Sequence, residues 1–272
     1  MSQFSVIIPV YNGENFLAEA LQSVADQTLE DVEVIVSNNA SCDQTAQILG
    51  AWVNRMNLRI ITQPKTLPMQ AHFNAVLDLV ETEFYMLLCH DDYLADPNAL
   101  AFARDALASE PEIAAVYCDL MYVSPERRLL ARRVFPRGRL FMADDAGQKT
   151  LRTARNQFGI PIAIRKAALG NLRYDPKFHY AMDVDLSWAL SRHQNVLHLS
   201  KPLIANRYGN TNMTWELLSK AEDEYIELAR KYGVVMRPRD IMRLKAVNFY
   251  VAQQKRIFGL YQRFVSRFRS FV

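Results

Sequence analysis

Two adjacent carboxylates, Asp91 and Asp92, closely follow a run of apolar and aromatic residues at 84–88. Such a run is typical of a strand buried on both faces. In an open parallel sheet, ligands bind just beyond the carboxyl ends of the strands. Two acids at that place suit a hard divalent cation such as Mg2+ or Mn2+, which takes oxygen ligands and bridges to substrate phosphates. Taken alone, an Asp-Asp pair more often caps the following turn, so the rest of the chain must decide between the two interpretations.

Strand and helix patterns alternate along the segment that leads to this acid pair. Short apolar runs predict strands at 5–10, 32–36, 58–62 and 84–88. Apolar residues at helical spacing predict helices at 16–27, 43–52 and 68–80. Because the connections are short, we expect an α/β fold with a mostly parallel central sheet and helices on both faces.

The composition indicates a globular protein. Of the 272 residues, 50% are hydrophobic and 22% are charged. No apolar run reaches the roughly 18 residues of a membrane span, and no charged-then-apolar leader opens the chain. The three cysteines, Cys42, Cys89 and Cys118, are odd in number and lack metal-ligand spacing, so we expect reduced thiols in a cytoplasmic protein.

Glycine-rich phosphate loops are absent from the sequence. The turn after the first predicted strand reads Val10-Tyr-Asn-Gly-Glu-Asn, which is neither a dinucleotide fingerprint nor a phosphate loop. This argues against a dehydrogenase and against a P-loop ATPase. A nucleotide on this sheet would have its diphosphate held through a metal rather than by backbone amides.

Four blocks of the sequence carry a resemblance to a known family. They are Ser5-Val-Ile-Ile-Pro-Val-Tyr-Asn-Gly-Glu14, Val36-Ser-Asn-Asn-Ala-Ser-Cys-Asp43, Phe73-Asn74 and Asp91-Asp92. In order and spacing they resemble glycosyltransferase family 2, which consists of inverting enzymes with the GT-A nucleotide-sugar-transferase fold. The resemblance continues more weakly to Thr214. It implies a GT-A catalytic domain at 1–214, followed by a helical C-terminal region at 215–272.

The resemblance implies a nucleotide site at the ends of the first two strands. Tyr11 lies where the family stacks an aromatic ring on the nucleobase, a contact worth about 1–3 kcal/mol; alternatively, Tyr11 packs on the first helix. Pro9 fixes the turn, and Glu14 lies where a polar contact to the nucleoside is usual. Asn38 replaces the Asp with which many members accept the uracil N–H. UDP is therefore the expected nucleotide, with GDP and dTDP left open.

Two further positions concern the donor. Asn74 matches a family asparagine near the nucleotide, with the alternative that it bonds from a helix face to a loop. Arg207 matches a basic position that can approach the diphosphate, with a surface arginine as the alternative.

The metal motif of the family is Asp-x-Asp, and this chain departs from it. Cys89 takes the place of the first acid, whereas Asp91 takes the place of the last, which usually meets the ion directly. Cysteine is a soft ligand, poorly matched to Mg2+ or Mn2+. We therefore expect Asp91 to bind the metal, with water or Asp92 supplying the hard ligand that Cys89 cannot. We expect His90 to be packed.

A second pair of acids, Asp183 and Asp185, resembles the family segment whose first Asp is the catalytic base. Inverting transfer needs one carboxylate to take the proton of the acceptor hydroxyl, which implies this role for Asp183. We expect Asp185 to be structural, near a helix start. The apolar residues around both acids are not cleanly helical in spacing. Upstream, 156–161 resembles a loop that would contact the acceptor.

The C-terminal tail is strongly basic. From Arg230 onward it holds eleven Lys or Arg residues and one acid, Asp240. A stripe that begins with Val247 and Val251 predicts an amphipathic helix. A basic helix of this kind suits a membrane surface; alternatively, the stripe packs on the catalytic domain or on a second subunit of an oligomer. Nucleic-acid binding is not expected, because the rest of the chain is acidic.

Taken together, the resemblance implies an inverting glycosyltransferase that moves a sugar from a nucleoside diphosphate, favouring a UDP-sugar, to a hydroxyl. The implied acceptor is a glycan or a lipid-linked sugar in bacterial surface polysaccharide biosynthesis, at the inner face of the cell membrane. Two alternatives stay open: a nucleotidyltransferase that releases pyrophosphate, and an inactive sugar-nucleotide-binding partner.

Overall fold

The protein consists of one sheet with helices packed against it. The computed structural model describes residues 3–135, 140–141, 143–192, 194–208 and 217–269, with the backbone alone from 254 onward. The strands are β1 (Phe4–Val10), β2 (Val32–Asn38), β3 (Leu58–Thr62), β4 (Phe84–Leu87), β5 (Tyr93–Leu94), β6 (Ile113–Val123), β7 (Leu129–Arg133), β8 (Leu140–Phe141), β9 (Pro161–Arg165) and β10 (Asn195–Arg207). The helices are α1 (Leu17–Ala25), α2 (Thr45–Trp52), α3 (Met69–Leu77), α4 (Ala99–Ser109), α5 (Ala143–Thr153), α6 (Lys166–Leu169), α7 (Met182–Ser191), α8 (Ala221–Lys231) and α9 (Pro238–Arg269).

The strand order is β3-β2-β1-β4-β9-β6-β10-β5, with β7 added to β6 and β8 to β10. The first four strands are parallel to one another, as predicted. Beyond them the sheet is mixed: β9 runs antiparallel to both β4 and β6, whereas β10 is parallel to β6. The register sets Val10 beside Asn38, so the turns after β1 and β2 leave the same edge of the sheet.

The core lies on both faces of this sheet. In β1, Val6 and Ile8 pack into one cluster with α1, α2 and α4, whereas Ile7 between them packs into a second cluster with α3, α5, α7 and α8. Successive side chains of a strand point to opposite faces, so a continuous apolar run marks a strand covered on both sides. The predicted helices on both faces are confirmed.

Helix α7 forms although its apolar spacing is not cleanly helical. The reason is burial on most sides, because a helix enclosed by protein needs no polar face. Trp188 stacks on Tyr232, just past the end of α8, at 4.1 Å between ring centroids. On its other side the indole lies against Gly147 of α5, where an added Cβ would collide with the ring.

The C-terminal region shares this core. Leu244 of α9 is fully buried, and Val247 packs against the same cluster as α7, so the start of the predicted stripe packs on the preceding part of the chain. Met242, Phe249 and Tyr250 are exposed instead. The boundary at 214/215 and the stripe from Gln254 onward lie outside the residues whose side chains are described. None of the described helices has the length and apolar character that a membrane span requires.

Candidate active site

The turns after β1 and β2 are hydrogen-bonded into one ledge at the edge of the sheet. The backbone N–H of Asn12 donates to Ser41 Oγ at 2.9 Å, and the side-chain Oδ1 of Asn12 accepts the backbone N–H of Cys42 at 3.0 Å. The Gly13 N–H donates to Thr45 Oγ1 at 2.9 Å. A side chain at Gly13 would collide with Val10 and approach the His90 ring, so glycine is needed where these segments meet, and His90 is packed as expected.

The predicted nucleoside residues lie on or beneath this ledge. Tyr11 is 47% exposed, so its ring is not buried against α1. Pro9 is a buried residue of β1, opposite Ser37 in β2. Glu14 Oε2 accepts the Gln44 N–H at 3.2 Å, which ties this turn to the start of α2.

Asn38 is buried at the end of β2, where its Oδ1 accepts the Ser41 N–H at 2.9 Å. Its oxygen therefore shapes the turn in which Ser41 lies. A role in base recognition stays a prediction.

The acid pair forms a compact cluster with Cys89. The thiol of Cys89 and carboxylate oxygens of Asp91 and Asp92 lie within 4.8 Å of one another. Asp92 is buried. One of its carboxylate oxygens accepts the backbone N–H of Arg207 at 2.8 Å, and the other accepts the side-chain amide of Asn206 at 2.9 Å. Burial, reinforced by the charge of Asp91, raises the pKa of Asp92 well above its usual range despite these bonds. Two carboxylates fit a hard divalent cation, while the thiol is a softer third donor.

Arg207 braces this cluster from the end of β10. Its Nε donates to the Asp91 carbonyl at 2.8 Å and its Nη1 to the Pro125 carbonyl at 2.6 Å, while Nη2 pairs with Glu19. The guanidinium also lies 4.3 Å from the centre of the Phe16 ring. Arg207 is 2% exposed. The surface interpretation was therefore wrong, because the side chain is buried and its Nε, Nη1 and Nη2 atoms bond to protein acceptors. An approach of Arg207 to a diphosphate stays a prediction.

Asn74 follows the alternative interpretation. Its side-chain amide donates to the Tyr174 carbonyl at 2.9 Å, and its Oδ1 accepts the Tyr174 N–H at 2.8 Å. These two bonds hold α3 to the segment before α7. Asn74 thus bonds to a loop, and nothing in this arrangement supports a nucleotide contact.

Asp183 lies in the first turn of α7 with its side chain exposed. Its Oδ2 accepts the Asn156 side-chain amide at 2.9 Å, and its Oδ1 accepts the Val184 N–H at 2.8 Å. Surrounding protein desolvates the carboxylate and raises its pKa, although the N–H of Val184, the Asn156 amide and the positive charge of Arg133 oppose that shift. A raised pKa suits a group that must accept a proton.

Asp185 is structural, as expected, but its partners lie on and just after α8 rather than at a helix start. Its carboxylate is buried and accepts Lys231 Nζ at 2.8 Å and the Tyr232 hydroxyl at 3.0 Å.

The structure brings Asp183 close to the Cys89–Asp91–Asp92 cluster. Burial raises the pKa of Cys89 well above its usual value, and the charges of Asp92, Asp91 and Asp183 raise it further. Burial also raises the pKa of Tyr174, with Cys89 and Asp183 both adding to the shift. The Cys89 thiol therefore lies within electrostatic reach of both the acid pair and Asp183.

Two residues of this site were not predicted from the sequence. Arg133, at the end of β7, donates from Nη1 to the Tyr122 hydroxyl at 3.2 Å and from Nη2 to the Asn156 carbonyl. The ring of Tyr122 lies edge-on to the ring of Tyr208, with the centroids 6.1 Å apart. Tyr208 directly follows Arg207 in the chain. No local motif marks these residues: Arg133 ends a short, largely exposed strand, whereas Tyr122 lies near the end of the long strand β6.

Comparisons with known proteins give a consistent picture. The sequence model described as "Glycosyl transferase family 2" matches residues 5–175. The chain is 28% identical over 128 residues to chondroitin synthase of Pasteurella multocida, covering 47% of this chain and 13% of that protein. It is 37% identical over 99 residues to poly(ribitol-phosphate) beta-N-acetylglucosaminyltransferase TarS of Staphylococcus aureus, covering 35% of this chain and 17% of that protein. The alignments thus span under a fifth of these relatives' own length.

Solved structures share the fold. The structure of S. aureus TarS 1-349 has a TM-score of 0.63 at 22% identity, covering 82% of this chain and 65% of that one. The mannosyltransferase PcManGT from Pyrobaculum calidifontis, in complex with GDP-Man and Mn2+, has a TM-score of 0.60 at 16% identity, covering 94% of this chain and 73% of that one. TarS 1-349 also has a structure in complex with UDP. These similarities confirm the predicted GT-A fold.

Proposed function

Because the chain belongs to glycosyl transferase family 2, we propose that it is an inverting glycosyltransferase that moves a sugar from a nucleoside diphosphate to an acceptor hydroxyl. One observation supports the proposal: the charges of Asp183 and of the acid pair after β4 both act on the buried Cys89 thiol and raise its pKa, so all three carboxylates lie within electrostatic reach of one side chain. Inverting transfer needs a carboxylate for the acceptor proton near a group that holds the departing diphosphate.

The reaction is one displacement. The acceptor oxygen forms a bond to the anomeric carbon as that carbon loses its bond to the diphosphate oxygen, and the bonding electron pair leaves with the nucleoside diphosphate. Asp183 accepts the acceptor's hydroxyl proton. Positioned base catalysis of this kind supplies about 10²–10⁴-fold in rate. No covalent bond to the enzyme forms, so the configuration at the anomeric carbon inverts.

A divalent cation, Mn2+ or Mg2+, is the proposed cofactor. Asp91, which is half-buried, would bind it directly, and Asp92 lies close enough to assist. When bound, the cation would offset negative charge on the departing diphosphate. Arg207 donates to the backbone carbonyl of Asp91 and to the side-chain carboxylate of Asp92, so it keeps these ligands in place.

The proposed donor is a UDP-sugar. Tyr11 offers an exposed ring at the edge of the ledge, where a nucleobase could stack. The TarS structures with UDP and with UDP-GlcNAc support a uridine nucleotide by analogy. The complex of PcManGT with GDP-Man keeps a guanosine nucleotide as the alternative.

The proposed acceptor is a glycan or a lipid-linked sugar of a surface polysaccharide, in keeping with the printed names of the relatives. A lipid-linked acceptor would bring the enzyme to the cytoplasmic face of a membrane. The face of α9 that could meet lipid is the one that carries Met242, Phe249 and Tyr250, because the start of the predicted stripe is already packed against protein.

The test is release of nucleoside diphosphate from a panel of UDP-, GDP- and dTDP-sugars with Mn2+, with and without glycan acceptors. We expect one donor class to be turned over and Asp183→Asn to reduce the rate at least 100-fold, within the range for a lost base. Asp105→Asn, which makes the same change on the exposed face of α4, serves as the control and should leave the rate unchanged. In a parallel assay with nucleoside triphosphates and sugar phosphates, pyrophosphate release would indicate a nucleotidyltransferase. Donor binding without turnover in the first assay would indicate an inactive binder.

A further inference from the structure

We propose that Asn156 is a positioning residue for transfer: it orients the Asp183 carboxylate toward the acceptor through a neutral hydrogen bond. The inference rests on the proposed function, in which Asp183 is the base. Nothing in the sequence around Asn156 assigns it this role, since its block resembles only a loop on the acceptor side.

The hydrogen bonds of Asn156 fix which way its amide points. Its Oδ1 accepts the Phe158 N–H at 2.8 Å and the Gly159 N–H at 3.3 Å. An amide presents oxygen on one side and NH2 on the other. With the oxygen turned to two backbone donors, the NH2 group must face Asp183, whose Oδ2 it reaches at 2.9 Å.

The loop that carries Asn156 is itself held in place. Gly159 has a positive φ of 88°, and a Cβ there would lie 2.9 Å from the Phe135 ring. Phe135 in turn lies under the Arg133 guanidinium, 4.7 Å from ring centre to Cζ, and Arg133 donates to the Asn156 carbonyl. The amide is therefore presented by a rigid support.

A neutral donor suits this position for an electrostatic reason. A lysine or arginine paired directly with Asp183 would stabilise its anion more strongly and make it a weaker base, whereas an amide fixes the carboxylate without a full charge. The ionisable groups that act on Asp183 or sense its charge are Arg133 from β7, Cys89 after β4, Tyr174 and Tyr180 before α7, and Tyr225 from α8.

The sharpest variant is Asn156→Asp. It keeps an oxygen for the Phe158 and Gly159 N–H groups, so the loop is retained, but it replaces the donor toward Asp183 with a second carboxylate. Because like charges raise a carboxyl pKa, the acid limb of the kcat/KM pH profile should move to higher pH. We expect kcat to fall about 10- to 100-fold at neutral pH, as for a lost hydrogen bond to a charged group. The donor KM should stay within about twofold of the parent enzyme's, since the proposed role places Asn156 on the acceptor side.

Asn54→Asp is the matched control, because it makes the same amide-to-carboxylate change at an exposed position just after α2. Its profile should match that of the parent enzyme. If Asp183→Asn abolishes transfer while Asn156→Asp keeps the parent kcat and acid limb, the positioning role is refuted and the proposed function stands. If Asp183→Asn retains transfer, or the parent enzyme shows none, the proposed function fails and this inference fails with it.

Discussion

Replacing Arg207 by methionine should destabilise the protein rather than directly weaken donor binding. Methionine has a similar length but leaves the acceptors on Asp91, Pro125 and Glu19 without the guanidinium. Breaking a buried charge pair by removing one partner costs about 3–5 kcal/mol. Glu19 keeps its ion pair with Arg127 at 2.8 Å and 26% side-chain exposure, so part of that cost is recovered and about 3 kcal/mol is the upper value to expect.

For a chain of this size each kcal/mol moves Tm by roughly 2–4 °C, so we expect a loss of up to roughly 6–12 °C. Thermal unfolding, checked by urea titration, measures it. Arg104→Met removes an arginine whose partner Asp105 is 67% exposed, and as the control it should cost about 0–1 kcal/mol. If Arg207→Met kept the parent Tm but bound nucleoside diphosphate tenfold more weakly, Arg207 would face the diphosphate after all and the bracing role would be refuted.

Three further outcomes are expected. Tyr11→Ala should weaken UDP binding in calorimetry by about 5- to 150-fold, equivalent to the 1–3 kcal/mol of one base stack, and Tyr11→Phe should not; equal affinities for all three proteins would contradict the stacking role. In a Cys42→Ser background, Cd2+ titration should produce a thiolate absorption band that Cys89→Ser removes, because a coordinating thiol is deprotonated; an unchanged band would exclude Cys89 from the cation site. Because the Asp183 pKa is raised above 3.8 and only the carboxylate accepts a proton, transfer should fail as the pH falls through a midpoint above 3.8; a midpoint at or below 3.8 would contradict the raised pKa.

The parallel half of the sheet could be predicted from the sequence because its signals are local. The runs at 58–62 and 84–88 each form a strand buried or half-buried by its immediate neighbours. The pairing of β9 between β4 and β6 could not be predicted, because it joins segments far apart in the chain.

The same distinction applies to the site. Asp91 and Asp183 could be proposed from the sequence because each lies in a compact block with a recognisable order of residues. The role of Arg207 could not be found, because its side-chain bond partners lie 188, 116 and 82 positions away. A basic residue at the end of a strand looks the same in sequence whether it faces a ligand or an internal acid.

The stacking of Trp188 on Tyr232 bears on how the protein can be handled. A polypeptide shortened to residues 1–214 would retain the indole but lose the phenol that covers one of its faces. It would also leave the buried carboxylate of Asp185 without its ion-pair partner, the ammonium group of Lys231. Trimming the basic tail for crystallisation or expression should therefore stop beyond Val247, because Leu244 and Val247 pack into the same core as Trp188 and Tyr232. A shorter product would expose apolar and aromatic surface beside the turn of α7 that carries Asp183.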